Sequence, residues 1–152
     1  MYRRRKVRPR KTESARKSLI IPYSRENSNV FNKILRPRLN ISLYSKVLSQ
    51  WITVDDVMAD TGADLSLLPR SLGMLLVGNI RDGKRYKMTG LIAGSPRYFY
   101  LHSIKVRLGL KKFDAIFAIA AGDDVPPTLG RISALDRVTV EYSKGRRLII
   151  SW

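Results

Sequence analysis

A mainly β domain is predicted by three features of the sequence. Apolar and polar residues alternate with period two in several short runs, turn-forming residues separate those runs, and only one short segment carries helix signals. Leu39, Ile41 and Leu43 alternate with Asn40, Ser42 and Tyr44, the pattern of a strand with one buried face. A second strand is expected over 51–59, running into Asp60-Thr-Gly-Ala-Asp64. Further strands are expected over 85–89, over 98–108 with Ile104, Val106 and Leu108 on one face, and over 112–119. Asp82-Gly83, Gly94-Ser-Pro96, Gly109 and the 123–127 segment supply the turns. A short helix fits 133–137, with Ser133 as its cap. Strands at 138–142 and 147–152 around Ser143-Lys-Gly145 close the sequence as a hairpin.

Charge divides the chain. Among its 152 residues, 29 Lys and Arg outnumber 12 Asp and Glu, for a net charge of +17. Residues 1–18 hold nine basic side chains (Arg3, Arg4, Arg5, Lys6, Arg8, Arg10, Lys11, Arg16 and Lys17) against one acid, Glu13. With so little apolar surface this segment reads as a mobile arm, 19–37 as a connector, and 38–152 as the folded domain. A basic arm attracts polyanions, so nucleic acid or an acidic membrane surface is a candidate partner, beside the plainer role of a solubilising or targeting tail. The length and the 44% hydrophobic fraction suit one domain with a packed core.

Several chemistries are disfavoured. Without cysteine there is no disulfide framework or thiolate zinc site, and His102 is the single histidine, so neither metal nor cofactor is expected. His102 lies on a strand with no Gly-x-Ser-x-Gly elbow elsewhere, which makes it a structural residue and not part of a nucleophilic triad. The longest uncharged apolar run, Ala115 to Ala121, falls short of the ~20 residues that span a bilayer. A soluble, cytoplasmic protein is the expectation.

Candidate chemistry concentrates at Asp60, Thr61 and Gly62. A strand that ends in Met58-Ala59 and enters a turn of small residues places a carboxylate beside free backbone amides. One carboxylate cannot serve as acid and base together. Two copies meeting at a two-fold axis can, because like charges ~3 Å apart share one proton.

The stretch from Met58 to Pro69, together with Thr128-Leu-Gly-Arg131, resembles the retropepsin-like aspartic peptidases, and the resemblance covers residues 38–152. It implies one acid-protease lobe, a closed barrel-like β structure with one short helix, active as a homodimer. By that resemblance Asp60 is the catalytic carboxylate, Thr61 bonds across the dimer axis, and Gly62 lets the substrate backbone approach. Ala63 and Asp64 bind substrate, Leu129 and Gly130 form the second motif, and Arg131 pairs with Asp64. Met88 to Gly94 resembles a flap, with Gly90 and Ile92 facing substrate, although Leu91 and Ala93 stand where retroviral enzymes often have Gly. Ile132 replaces the acidic or amide residue common after Gly-Arg. The implied activity is an aspartic endopeptidase acting on a protein or peptide, with residues 19–37 a candidate self-cleavage site. The alternative is a catalytically idle module of the same fold that binds or dimerises, its basic arm holding nucleic acid.

Overall fold

The computed structural model describes residues 17–88 and 97–152. Its strands are β1 (Ser18–Pro22), β2 (Ser24–Ser28), β3 (Asn32–Arg36), β4 (Arg38–Ser45), β5 (Gln50–Ala59) and β6 (Ser66–Leu68). Helix α1 (Arg70–Val77) follows, then β7 (Lys84–Met88), β8 (Arg97–Leu108), β9 (Lys111–Ala120), β10 (Thr128–Leu129), β11 (Thr139–Ser143) and β12 (Arg147–Ser151).

Six strands close on themselves in the order β4-β5-β10-β6-β9-β8, with β8 returning to β4 through Ser42 opposite Arg107 and Leu43 opposite Val106. Closure removes sheet edges from this part of the molecule. The alternation read from 39–44 is the reason for it. Leu39, Ile41 and Leu43 point inward and are buried, joined by Val57, Leu68, Val106, Phe117, Ile119 and Leu129. Strands β8 and β9 form a long hairpin whose turn uses Gly109 at φ 57°, a left-handed conformation that favours glycine.

Helix α1 is not among the elements expected from the sequence. Its first residue follows Pro69, which has no capping side chain, and Gly73 lies in its middle. The cap comes from far along the chain, where Asp123 Oδ1 accepts from Ser71 N at 2.6 Å. Gly73 is required by packing, since a Cβ there would lie 2.2 Å from the Ile119 side chain. Buried Ser45 joins the helix to β4, donating to the Leu75 carbonyl at 2.6 Å and accepting from Leu48 N.

Three expectations are corrected. Residues 19–37 are not a connector, because β1 pairs antiparallel with β12 from Ser18↔Ser151 to Pro22↔Arg147, and β2 and β3 form a separate hairpin. Alternate half-burial of Leu19 and Ile21 drives the first pairing. The hairpin is polar and held in place by ions, with Glu26 bonded to Arg38 at 2.6 Å and to Arg36 at 3.1 Å. The arm's end is also structured, since Ser18 opens β1 and the Lys17 carbonyl accepts from Trp152 N at 3.1 Å; residues 1–16 lie outside the described residues. The helix expected over 133–137 is a single 3-10 turn, Leu135–Arg137. Ser133 does not cap it. Its φ is 62° and its Oγ accepts from Ile116 N at 2.8 Å, tying the loop to β9.

The terminal hairpin forms as expected, from β11 and β12, and with β1 it makes a three-stranded sheet. His102 is structural, its Nε2 2.7 Å from the Ile80 carbonyl. No helix among the described residues is long and apolar enough to cross a membrane.

Candidate active site

Strand β10 is two residues long, yet it organises the site. It lies between β5, to which it is parallel (Thr128↔Met58, Leu129↔Ala59), and β6, to which it is antiparallel (Thr128↔Leu67). This brings the two sequence motifs, far apart along the chain, side by side at the ends of their strands. Asp60 N donates to the Leu129 carbonyl at 3.0 Å, fixing the aspartate's main chain as it leaves β5.

The turn then folds over the carboxylate. Gly62 N donates to Asp60 Oδ1 at 2.9 Å, and Ala63 N reaches the Asp60 carbonyl at 3.3 Å. A donated amide holds the carboxylate in one rotamer. Asp60 is half-buried, while Thr61, Gly62 and Asp64 are exposed. Among the described residues the turn of a single chain therefore presents the half-buried Asp60 carboxylate and the exposed Asp64, with Ala63 half-buried between them.

Leu129 and Gly130 are buried behind the turn. Gly130 N donates to Ser66 Oγ at 3.0 Å, and a Cβ on Gly130 would stand 2.5 Å from the Leu65 carbonyl oxygen and 2.9 Å from that of Ala63. Only glycine fits that approach. The next two amides continue the seam, Arg131 N to the Ala63 carbonyl at 2.8 Å and Ile132 N to the Asp64 carbonyl at 3.0 Å.

The expected side-chain pair of Asp64 with Arg131 is not made. Arg131 Nε instead stands 3.8 Å from Asp136 Oδ1, both side chains about half exposed. The main-chain bonds already hold the two segments together, and the 3-10 turn after Gly130 carries Asp136 back within reach of the guanidinium.

Tyr142 was not anticipated. From β11 its hydroxyl donates to the Ala59 carbonyl at 3.1 Å, immediately behind Asp60. Burial pushes its pKa up; a hydrogen bond with the Thr61 side chain opposes this, and the charges of Tyr23 and Asp60 add to the rise. Nothing in the hairpin's alternation distinguishes this aromatic from an ordinary packing residue. Ser66 escaped notice for the same reason.

Strands β7 and β8 pair from Lys84↔Leu101 to Met88↔Arg97, and so frame the segment expected as the flap. Gly90 and Ile92 lie outside the described residues. Among the described residues no three acidic or histidine side chains converge as a metal site would need.

No protein-family model matches the chain, and no curated protein matches it in sequence. Solved structures do. A retropepsin-like aspartic protease from Rickettsia conorii superposes with a TM-score of 0.61 at 19% identity, over 90% of this chain and 92% of that one. The fold is retropepsin-like. EIAV protease complexed with the inhibitor HBY-793 also matches, at a TM-score of 0.41 and 19% identity over 70% of this chain and 88% of that one. In this retropepsin-like lobe the closed barrel carries the Asp60 turn at the end of β5, and the three-stranded terminal sheet is bonded to its back through Tyr142.

Proposed function

We propose that the protein is an aspartic endopeptidase whose working site is made by two copies of Asp60 at a homodimer axis. The observation that carries this reading is the seam of the Asp60-Thr-Gly turn with Leu129-Gly130 inside a retropepsin-like fold, where Gly62 N orients the Asp60 carboxylate. The half-buried carboxylate on an open face suits a site completed by a second copy.

Two such carboxylates share one proton. The ionised member deprotonates a bound water, the protonated member polarises the peptide carbonyl, and no covalent intermediate forms. Thr61 bonds across the axis, Gly62 and Ala63 receive the substrate main chain, and Asp64 binds it further along. Gly90 and Ile92, from the segment between β7 and β8, contact the substrate as well. Within residues 19–37 most of the backbone is engaged in strands, which leaves the exposed turn at 29–31 as the part best placed for self-cleavage.

The test is peptide hydrolysis by the purified chain and by Asp60→Asn. The variant retains the fold, because an amide oxygen still accepts from Gly62 N, and loses several orders of magnitude in rate. Specific activity of the unaltered chain falls on dilution as dimers dissociate. Activity that survives Asp60→Asn, or that stays flat where light scattering shows monomers, overturns the reading and leaves a binding module of the same fold.

A further inference from the structure

We infer that the outer face of the barrel formed by β4, β5, β8 and β9 binds single-stranded nucleic acid. The register of these strands sets out-facing side chains next to one another. Tyr44 is opposite Trp51, Ser42 is opposite Arg107 on one side and Thr53 on the other, and Arg107 is opposite Lys112. The aromatic rings meet edge to face, with centroids 5.5 Å apart. Over the indole of Trp51 stand the Arg107 guanidinium at 5.0 Å and the Lys112 ammonium at 5.7 Å. Arg107 is held there by a bond to Ser42 Oγ at 3.2 Å. Next to Tyr44, Lys46 and Lys105 line a groove of about 240 Å³ that runs to the end of α1.

Four cations thus surround two aromatic rings on one sheet face. Among the described residues none of the four is within 4.0 Å of a carboxylate, although Asp114 lies opposite Lys105 and the exposed Asp55 and Asp56 stand further along β5. Cations without acidic partners attract phosphates. Aromatic rings and a planar guanidinium offer stacking surfaces to unpaired bases, and the two together are the chemistry of single-strand binding. An anionic lipid surface would meet the same charge, and vesicle binding is the outcome that separates the two. Duplex bases are already stacked. The face is also remote from Asp60, since Trp51 lies near the start of β5 and Asp60 just past its end, up to about 30 Å away at ~3.3 Å per residue. Binding here leaves the candidate active site free.

The experiment uses the full chain with fluorescently labelled oligo(U) and oligo(dT), read by anisotropy across a salt series and by tryptophan quenching. Binding weakens with salt, and the quenching disappears in Trp51→Phe while Trp152 remains. Trp51→Ala weakens binding roughly tenfold or more. Lys105→Gln and Lys112→Gln, which leave the packed ring in place, each lower the log–log salt slope by about 0.7. Preference between the two oligonucleotides assigns RNA or DNA as the strand. An unchanged slope in both lysine variants overturns the inference and moves the binding to other basic residues. Binding to phosphatidylglycerol vesicles but not to oligonucleotide, or equal binding to heparin and oligonucleotide without quenching, overturns it as well.

Discussion

The Tyr142 phenol donates to the Ala59 carbonyl at 3.1 Å, so the terminal hairpin is bonded to the residue that immediately precedes Asp60. The aspartate turn is thereby supported from two sides, by β10 through Leu129 and by β11 through Tyr142. Tyr142→Phe keeps the ring and leaves that carbonyl unpaired. It should lower stability by about 1 kcal/mol in urea unfolding at fixed protomer concentration. It should also reduce kcat for peptide hydrolysis, since the segment carrying Asp60 and Thr61 loses an anchor.

Gly130 is a second point at which the turn is fixed. In Gly130→Ala the new Cβ meets carbonyl oxygens of Leu65 and Ala63, which are backbone and cannot rotate away. The expected loss is about 1–3 kcal/mol by thermal or urea unfolding, with activity falling further than stability alone explains. A stability equal to that of the unaltered chain would mean that the two motifs are not in contact.

Arg131 is expected to matter little. Its pairing with Asp136 is long and half exposed, so Arg131→Ala should cost under ~1 kcal/mol. A double-mutant cycle on Asp64→Asn and Arg131→Ala should give a coupling within about 0.3 kcal/mol of zero, because main-chain bonds join those segments. A larger coupling would return the side-chain pair to the site.

Acid should loosen the β2–β3 hairpin before the barrel. The hydrogen bond from Arg38, ahead of the charges of Arg38 and Arg36, holds the Glu26 carboxyl below its usual range. A depressed folded-state pKa stabilises above the ordinary carboxylate pKa, and that contribution is lost as pH falls through the folded value. Glu26→Gln should remove this part of the acid limb, observable as flatter stability against pH below about 4.5.

Long alternating strands were legible in the sequence because each has one apolar face against the core. Leu39 to Leu43 and Ile104 to Leu108 are examples, and the structure buries them. The aspartate turn and the Leu129-Gly130 segment were legible as motifs, and they meet. What escaped was set by partners distant in sequence. Asp123 caps α1, Ile116 engages Ser133, and Arg38 anchors Glu26, while the local sequence at each position resembles an ordinary loop. The Arg131 pairing failed for the converse reason, since a motif specifies main-chain geometry more tightly than it specifies where a long exposed side chain reaches.

The pairing of Ser18 with Ser151 constrains how the chain is assembled during synthesis. Among the described strands β1 leaves the ribosome first and its partner β12 last. Until then β1 lacks the strand it pairs with. Contacts of such large sequence separation form slowly, because loop closure is costly before it is rewarded. The barrel, whose strands are complete by Leu129, is able to collapse first and present a surface on which β11, β12 and β1 fasten last. Tyr142 arrives in that late step, so the anchor behind Asp60 is set after the barrel strands are complete.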